Sequence, residues 1–266
     1  MEYQGVLKKM STENLDCVQY YLDMKSDFLN INQLLNKVIS LSFITYECLN
    51  CGREREVYRQ GFCKKCFFES PRVADWILKP ELSKAHLDKE DRDLKYEKEM
   101  QLQPHIVYLA NSSNVKVGVT RKSQVPTRWI DQGAHEAIEI LEVPNRYLAG
   151  ITEVALKKHV ADKTNWRKML RNDIEEADLK DWKVKLMPFI PEETKEYLLE
   201  KDKAMNIYFP VEKYPIKPKS LNLIKQGSFV GKLVGVKGQY LIFEDDTVFN
   251  VRSNEGLVVS IGIVKK

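Results

Sequence analysis

The chain has 266 residues, 43% of them hydrophobic and 30% charged, with a formal net charge of +4. No apolar run approaches the roughly 18 residues of a membrane span, and the opening MEYQGVLKKM lacks a signal-peptide core, so the sequence points to the cytoplasm and to no membrane partner. The length suits two or three compact units, the mild charge admits a nucleic-acid partner without requiring one, and five cysteines are too few for a disulfide scaffold of this size.

Residues 1–46 read as a β-rich segment. Tyr3, Val6 and Leu7 open one strand, Cys17 to Leu22 form a second, and Val38 to Ile44 form a third. Ile31 to Lys37 is a helical turn or a loop. Cys17 has no cysteine close by and reads as a small buried hydrophobe. Residues 47–70 carry CLNCGREREVYRQGFCKKC. Cys48 with Cys51, and Cys63 with Cys66, are two C-x-x-C pairs whose thiolates can face one ion. The stretch between suits a hairpin with Gly52 and Gly61 at its turns. Four thiolates at about 2.3 Å satisfy tetrahedral zinc and leave no open position, so the expected ion is structural. Iron–sulfur is the competing occupant. Arg53, Arg55, Arg59, Lys64 and Lys65 surround the site. They are either phosphate contacts or the basic neighbours that thiolate-rich sites attract.

Residues 71–104 form a charged connector. Glu81 to Met100 mixes both signs, as a solvated helix or an extended wrapping segment does. His86 has Asp88 and Glu90 nearby and reads as a surface histidine or, alternatively, part of a second metal site. Residues 105–204 begin with two β-rich runs, Ile106 to Ala110 and Val115 to Val119, joined by the polar turn Asn111 to Asn114. Pro126 then stands near the start of a helix carrying Arg128 and Trp129. His135 to Val143 reads as a strand, Tyr147 to Val160 as a helix, and Trp166 to Ala177 as another helix capped by Thr164 or Asn165. Glu153 falls at the edge of the apolar face of its helix and needs a partner there. Residues 205–266 end in a β meander of four strands from Ser228 onward. Its apolar face is expected to pack on the N-terminal strands, making one split β domain from both ends of the chain. The fold class is therefore α+β, with a central β-β-α-β-α-α domain, a four-cysteine ribbon and flanking β segments.

The runs around Ile106-Val107-Tyr108 and Lys116-Val117-Gly118 resemble the two motifs of the GIY-YIG nuclease fold in a divergent form. Arg128 falls where that family keeps an arginine, and Glu153 where it keeps a metal-binding glutamate. The longer signature VYLAN, KVGVTR, PTRWIDQGA and DKTNW resembles an uncharacterised prokaryotic family that joins a zinc ribbon to such a domain. The resemblance implies a catalytic set of Tyr108, Lys116, Arg128 and Glu153. Glu153 would hold Mg²⁺ or Mn²⁺, Tyr108 would lie near the attacking water, and Arg128 would face the phosphate. Lys116 replaces the second motif tyrosine, as a phosphate contact, a base, or a mark of lost catalysis. His105 stands where the first motif has its glycine and is either a proton-transfer group or structural. Lys116, Arg121, Arg128 and Trp129 are the expected nucleic-acid contacts; Trp129 is otherwise a core residue. Arg128 can instead pair with Asp131, and Glu153 with Lys157. The expected function is a metal-dependent nuclease, the alternative a non-catalytic nucleic-acid-binding protein on the same scaffold, and a weaker third reading a protein-interaction scaffold.

Overall fold

The computed structural model describes residues 2–25, 27–160, 165–200 and 203–264. In chain order its strands are β1 (Glu2–Val6), β2 (Ser11–Glu13), β3 (Gln19–Asp23), β4 (Phe28–Asn30), β5 (Val38–Tyr46), β6 (His105–Asn111), β7 (Val115–Arg121), β8 (Glu136–Val143), β9 (Met205–Asn206), β10 (Lys219–Ser220), β11 (Ser228–Lys237), β12 (Tyr240–Phe243), β13 (Thr247–Asn250) and β14 (Leu257–Ile263). The α-helices are α1 (Lys64–Glu69), α2 (Leu94–Gln101), α3 (Thr127–Asp131), α4 (Arg146–Leu156), α5 (Trp166–Arg171), α6 (Leu179–Leu186) and α7 (Leu223–Gln226). The chain divides into two compact units: Met1–Phe68 with Leu170–Asn172 and Tyr208–Lys266, and Glu69–Met169 with Asp173–Ile207. Among the described residues no helix is long and apolar enough to cross a membrane.

In the first unit, strands from both ends of the chain share a seven-stranded sheet in the order β1-β14-β5-β11-β12-β13-β10. The expected four-stranded meander is corrected. β11, β12 and β13 do run as consecutive antiparallel neighbours, but β14 inserts between β1 and β5. Its sequence, LVVSIGI, is apolar on both faces and suits an interior strand. The N-terminal strands thus join the C-terminal ones edge to edge by backbone hydrogen bonds, not face to face by packing. A second, three-stranded sheet is β2-β3-β4. Cys17, just before β3, is only half-buried, because it precedes the strand whose alternate residues Tyr20 and Leu22 turn inward.

In the second unit, a four-stranded antiparallel sheet runs β7-β6-β8-β9. Every residue of β6 is buried, as its near-continuous apolar sequence and its place between two neighbours require. Val107, Leu109, Val115 and Val117 meet Ala149 and Leu156 of α4 and Leu179 and Leu186 of α6 in the core. Asn111 pairs with Val115, so the hairpin turn has three intervening residues, one fewer than expected. The Asn111 amide donates to the Glu175 carbonyl at 2.9 Å, and Glu175 N–H donates to the Ser113 carbonyl at 2.9 Å. α5 stops at Arg171, well short of Ala177, because Asn172 takes a left-handed φ of 56° and the chain then runs across that turn. Residues 162–164 of the helix break lie outside the described residues; Asn165 caps α5 by accepting from Arg167 and Lys168 N–H.

The connector is less solvated than its charge suggests. Residues 71–87 form short 3₁₀ turns, and only α2 is an α-helix. α2 buries Glu97, which is 1% exposed. Its carboxylate accepts from the backbone N–H groups of Asp91, Arg92 and Asp93 at 3.0, 2.7 and 3.1 Å, which offsets the cost of desolvating it. The His86 ring stacks on Tyr147 with centroids 4.6 Å apart.

Candidate functional site

The second unit gathers polar side chains around β6, β7, α3 and α4. Tyr108 and Gly118 are directly opposed on β6 and β7, and the Tyr108 ring lies over Gly118. A Cβ at Gly118 would sit 2.6 Å from the Tyr108 hydroxyl oxygen and 2.7 Å from its Cζ, so this position has room for hydrogen only. That gives the glycine of Lys116-Val117-Gly118 a physical role: it seats the phenol. Tyr108 is fully buried, donates to Gln132 Oε1 at 3.2 Å, and meets Trp129 edge-on at 5.8 Å. Burial raises its pKa, Glu153 adds to that, and hydrogen bonding and charge from Arg128 work against it.

Lys116 is two residues before Gly118, so its side chain shares the face on which Tyr108 lies. It is 5% exposed. Burial first, and the Arg128 guanidinium second, bring its pKa down from 10.5 to about 7. An amine at that value is half neutral at physiological pH and can take up a proton. Arg128 itself is exposed on the short helix α3, hydrogen-bonded toward Tyr108 and within electrostatic reach of Lys116. Trp129, the next residue, is 2% exposed; its ring belongs to the core and offers no open face to a base.

Glu153 and Arg146 stand two turns apart on α4. Glu153 is 9% exposed, and its carboxylate meets Lys157 Nζ at 3.5 Å, one turn on. Burial raises its pKa, Lys157 and Arg146 lower it, and Glu81 raises it further. Arg146 donates to the Trp76 carbonyl at 3.1 Å and the Ile77 carbonyl at 2.7 Å, with its guanidinium 5.6 Å from the Trp76 ring centroid. Burial brings it down to about 10, with Glu153 opposing and Arg128 and Arg121 reinforcing. α4 can approach the 3₁₀ turn at Pro80–Leu82 because it carries Gly150 there; any Cβ would collide with the Pro80–Glu81 backbone. His105 is fully buried, with Nδ1 2.7 Å from the Gln103 carbonyl, and its Nε2 has no hydrogen-bond partner. Burial first, then Arg146 and Arg121 against the bond to Gln103, bring its pKa to about 4, so it is neutral at pH 7.

Tyr108 and Arg128 are therefore neighbours, and Lys116 lies on the Tyr108 face within electrostatic reach of Arg128. Glu153 acts on Tyr108 through electrostatics and pairs first with Lys157. Sequence reasoning missed Arg146, Gln132 and Glu81. Arg146 had one local signal: a cation in the first turn of a helix, capped by Asn145, sits against the helix dipole and so needs another partner.

The four cysteines lie in the first unit. Their sulfurs all fall within 4.8 Å of one another, close to the roughly 3.8 Å edge of a tetrahedral zinc–thiolate site. Among the described residues they are the one group of three or more metal-ligating side chains found together, and His86 is not in it. Cys48, Cys63 and Cys66 are buried and Cys51 is exposed. The turns at Gly52 and Gly61 take left-handed φ of 64° and 78°. Cys63 N–H donates to Cys48 Sγ at 3.3 Å. Burial opposes ionisation of Cys48, but N–H donors of Cys51, Cys63 and Asn50 outweigh it and bring the thiol to about 6. Burial, with the three neighbouring sulfurs, pushes Cys66 up to about 12. Such a group can hold zinc, whose charge would ionise the remaining thiols. The stretch between the pairs is not a regular hairpin. It has only the isolated bridge Arg59–Phe62, since Arg53 to Glu56 are exposed and have no strand to pair with.

Fold and site together define a mixed α+β protein with a four-cysteine group of the zinc-binding kind. The chain belongs to the DUF2797 family, proteins of unknown function, whose family model matches residues 36–259. No curated protein and no solved structure matches it.

Proposed function

We propose that the chain is a phosphodiester hydrolase acting on nucleic acid, built on a divergent GIY-YIG-like unit. The observation that carries the reading is Lys116, an amine brought to about 7 beside the Arg128 guanidinium and on the Tyr108 face of the sheet. The neutral amine of Lys116 takes a proton from the attacking water. Arg128, exposed and forked, binds the phosphate oxygens and stabilises their charge in the transition state. Tyr108, held by Gln132 and hydrogen-bonded toward Arg128, fixes the orientation of that guanidinium. A divalent cation, when bound, would neutralise phosphate charge. Glu153 would offer it a single carboxylate that already faces Lys157, a sparse donor set.

A second reading is nucleic-acid binding without cleavage. The Glu153–Lys157 ion pair favours it, as does the excess of basic side chains, Lys116, Arg121, Arg128 and Arg146, over the two carboxylates Glu153 and Glu81. The test is cleavage of labelled single- and double-stranded DNA and RNA with Mg²⁺ or Mn²⁺, comparing wild type with Lys116→Met, Arg128→Ala and Glu153→Gln. The hydrolase reading expects a loss of at least 100-fold for Lys116→Met and a pH–rate profile rising with an apparent pKa near 7. Salt-sensitive binding with no cleavage would establish the second reading in its place.

A further inference from the structure

Beside the four cysteines, aromatic rings lie at the surface among basic side chains. Tyr58 is 44% exposed and Phe68 56% exposed. With Phe67 they form one cluster, with ring centroids 5.3, 5.4 and 5.8 Å apart. The Arg59 guanidinium lies 5.3 Å from the Tyr58 ring centroid. A cleft of about 420 Å³ opens alongside, lined by Arg55, Glu56, Val57, Tyr58, Lys64 and Lys65, with Cys63 at its wall. Arg53, Arg55, Arg59, Lys64 and Lys65 are all exposed here, against Glu54 and Glu56. Glu54 accepts from the Thr45 hydroxyl at 2.6 Å.

Exposed large rings forgo the free energy that a folded protein ordinarily gains by turning apolar surface inward. Here the positions are fixed by the cysteines: Phe67 and Phe68 follow Cys66 on α1, and Tyr58 lies across from Phe62 in the turn before Cys63. Rings beside guanidinium and ammonium groups match a ligand that presents flat π-faces and regularly spaced negative charge. A duplex hides its base faces in the stack. A single strand exposes them.

We infer that this aromatic–basic face of the cysteine ribbon binds single-stranded nucleic acid, with bases stacked on Tyr58 and Phe68 and phosphates on Arg55, Lys64 and Lys65. The inference deepens the hydrolase reading by naming where a single-stranded part of the polymer is held, and it takes the polymer's identity from that reading.

The experiment is fluorescence anisotropy of labelled single-stranded DNA and RNA 20-mers, and of a duplex, titrated with the full-length zinc-loaded chain without Mg²⁺ or Mn²⁺. Wild type is expected to bind both single strands more tightly than the duplex. Tyr58→Ser and Phe68→Ser are each expected to weaken binding roughly tenfold, and Tyr58→Phe to retain it, since stacking needs the ring and not the hydroxyl. Lys64→Gln with Lys65→Gln is expected to make the slope of log affinity against log salt shallower by about 1.4, for two single-strand phosphate contacts. Zinc content and thermal unfolding check each variant, and the lysine pair keeps the test decisive if a serine variant loses its zinc. Wild-type affinity in the ring variants together with an unchanged salt slope in the lysine pair overturns the inference, as does preference for the duplex or binding of neither strand. Cleavage that persists while ribbon variants bind normally would remove this inference alone. Ribbon-dependent binding without any cleavage would remove the hydrolase reading alone.

Discussion

Replacing Lys116 with Met removes a buried amine while nearly preserving its volume. The ordinary pKa of 10.5 falls to about 7 in the folded chain, through burial first and Arg128 second. The unfolded chain keeps its proton to higher pH than the folded one. Between about pH 7 and pH 10 the unfolded state therefore binds more protons, and stability rises with pH across that window. Below pH 7 the folded state must carry the charge at depth, a penalty with a ceiling of about 5 kcal/mol. Arg146, at about 10, and Tyr108, with its pKa raised, enter only at the upper edge, and Lys237, brought by burial to about 8, titrates inside the window but belongs to the other compact unit. All four tryptophans, Trp76, Trp129, Trp166 and Trp182, belong to the same compact unit as Lys116, so tryptophan fluorescence during urea unfolding follows that unit. Lys116→Met is expected to be more stable than wild type at pH 6, by about 2–5 kcal/mol, and to lose most of the rise between pH 7 and pH 10. Parallel stability–pH curves for the two proteins would refute the depth and the depressed basicity assigned to this amine.

Gly118→Ala is expected to destabilise the same unit by about 1–3 kcal/mol in urea, because the new methyl overlaps Tyr108 Oη and Cζ; an unchanged midpoint would mean that the phenol does not lie over Gly118. Purified protein is expected to carry one zinc ion per chain by elemental analysis, and Cys63→Ser to carry none; zinc retained in full by that variant would exclude Cys63 as a ligand.

Where the physics is local, the sequence spoke clearly. Two C-x-x-C pairs with glycines at their turns bring four sulfurs within reach of one ion, because the spacing nearly dictates the geometry. The runs that became β6, β7 and β8 were legible for the same reason: short apolar stretches bounded by turn residues have few other ways to fold. The burial of Glu97 in the connector was not legible, because the charge pattern says nothing of the three backbone donors that the chain folds back to supply.

The sequence by itself determined the cysteine cluster, the central hairpin and the mixed α+β character of this protein. Tertiary structure alone decided that β14 lies between β1 and β5, because strand neighbours hundreds of residues apart are chosen by global burial and not by local pattern. It alone decided that Tyr108 and Lys116 are buried while Arg128 of α3 stays exposed. A side chain's depth, and with it its proton affinity and partners, is set by what packs over it, and that is a property of the whole fold.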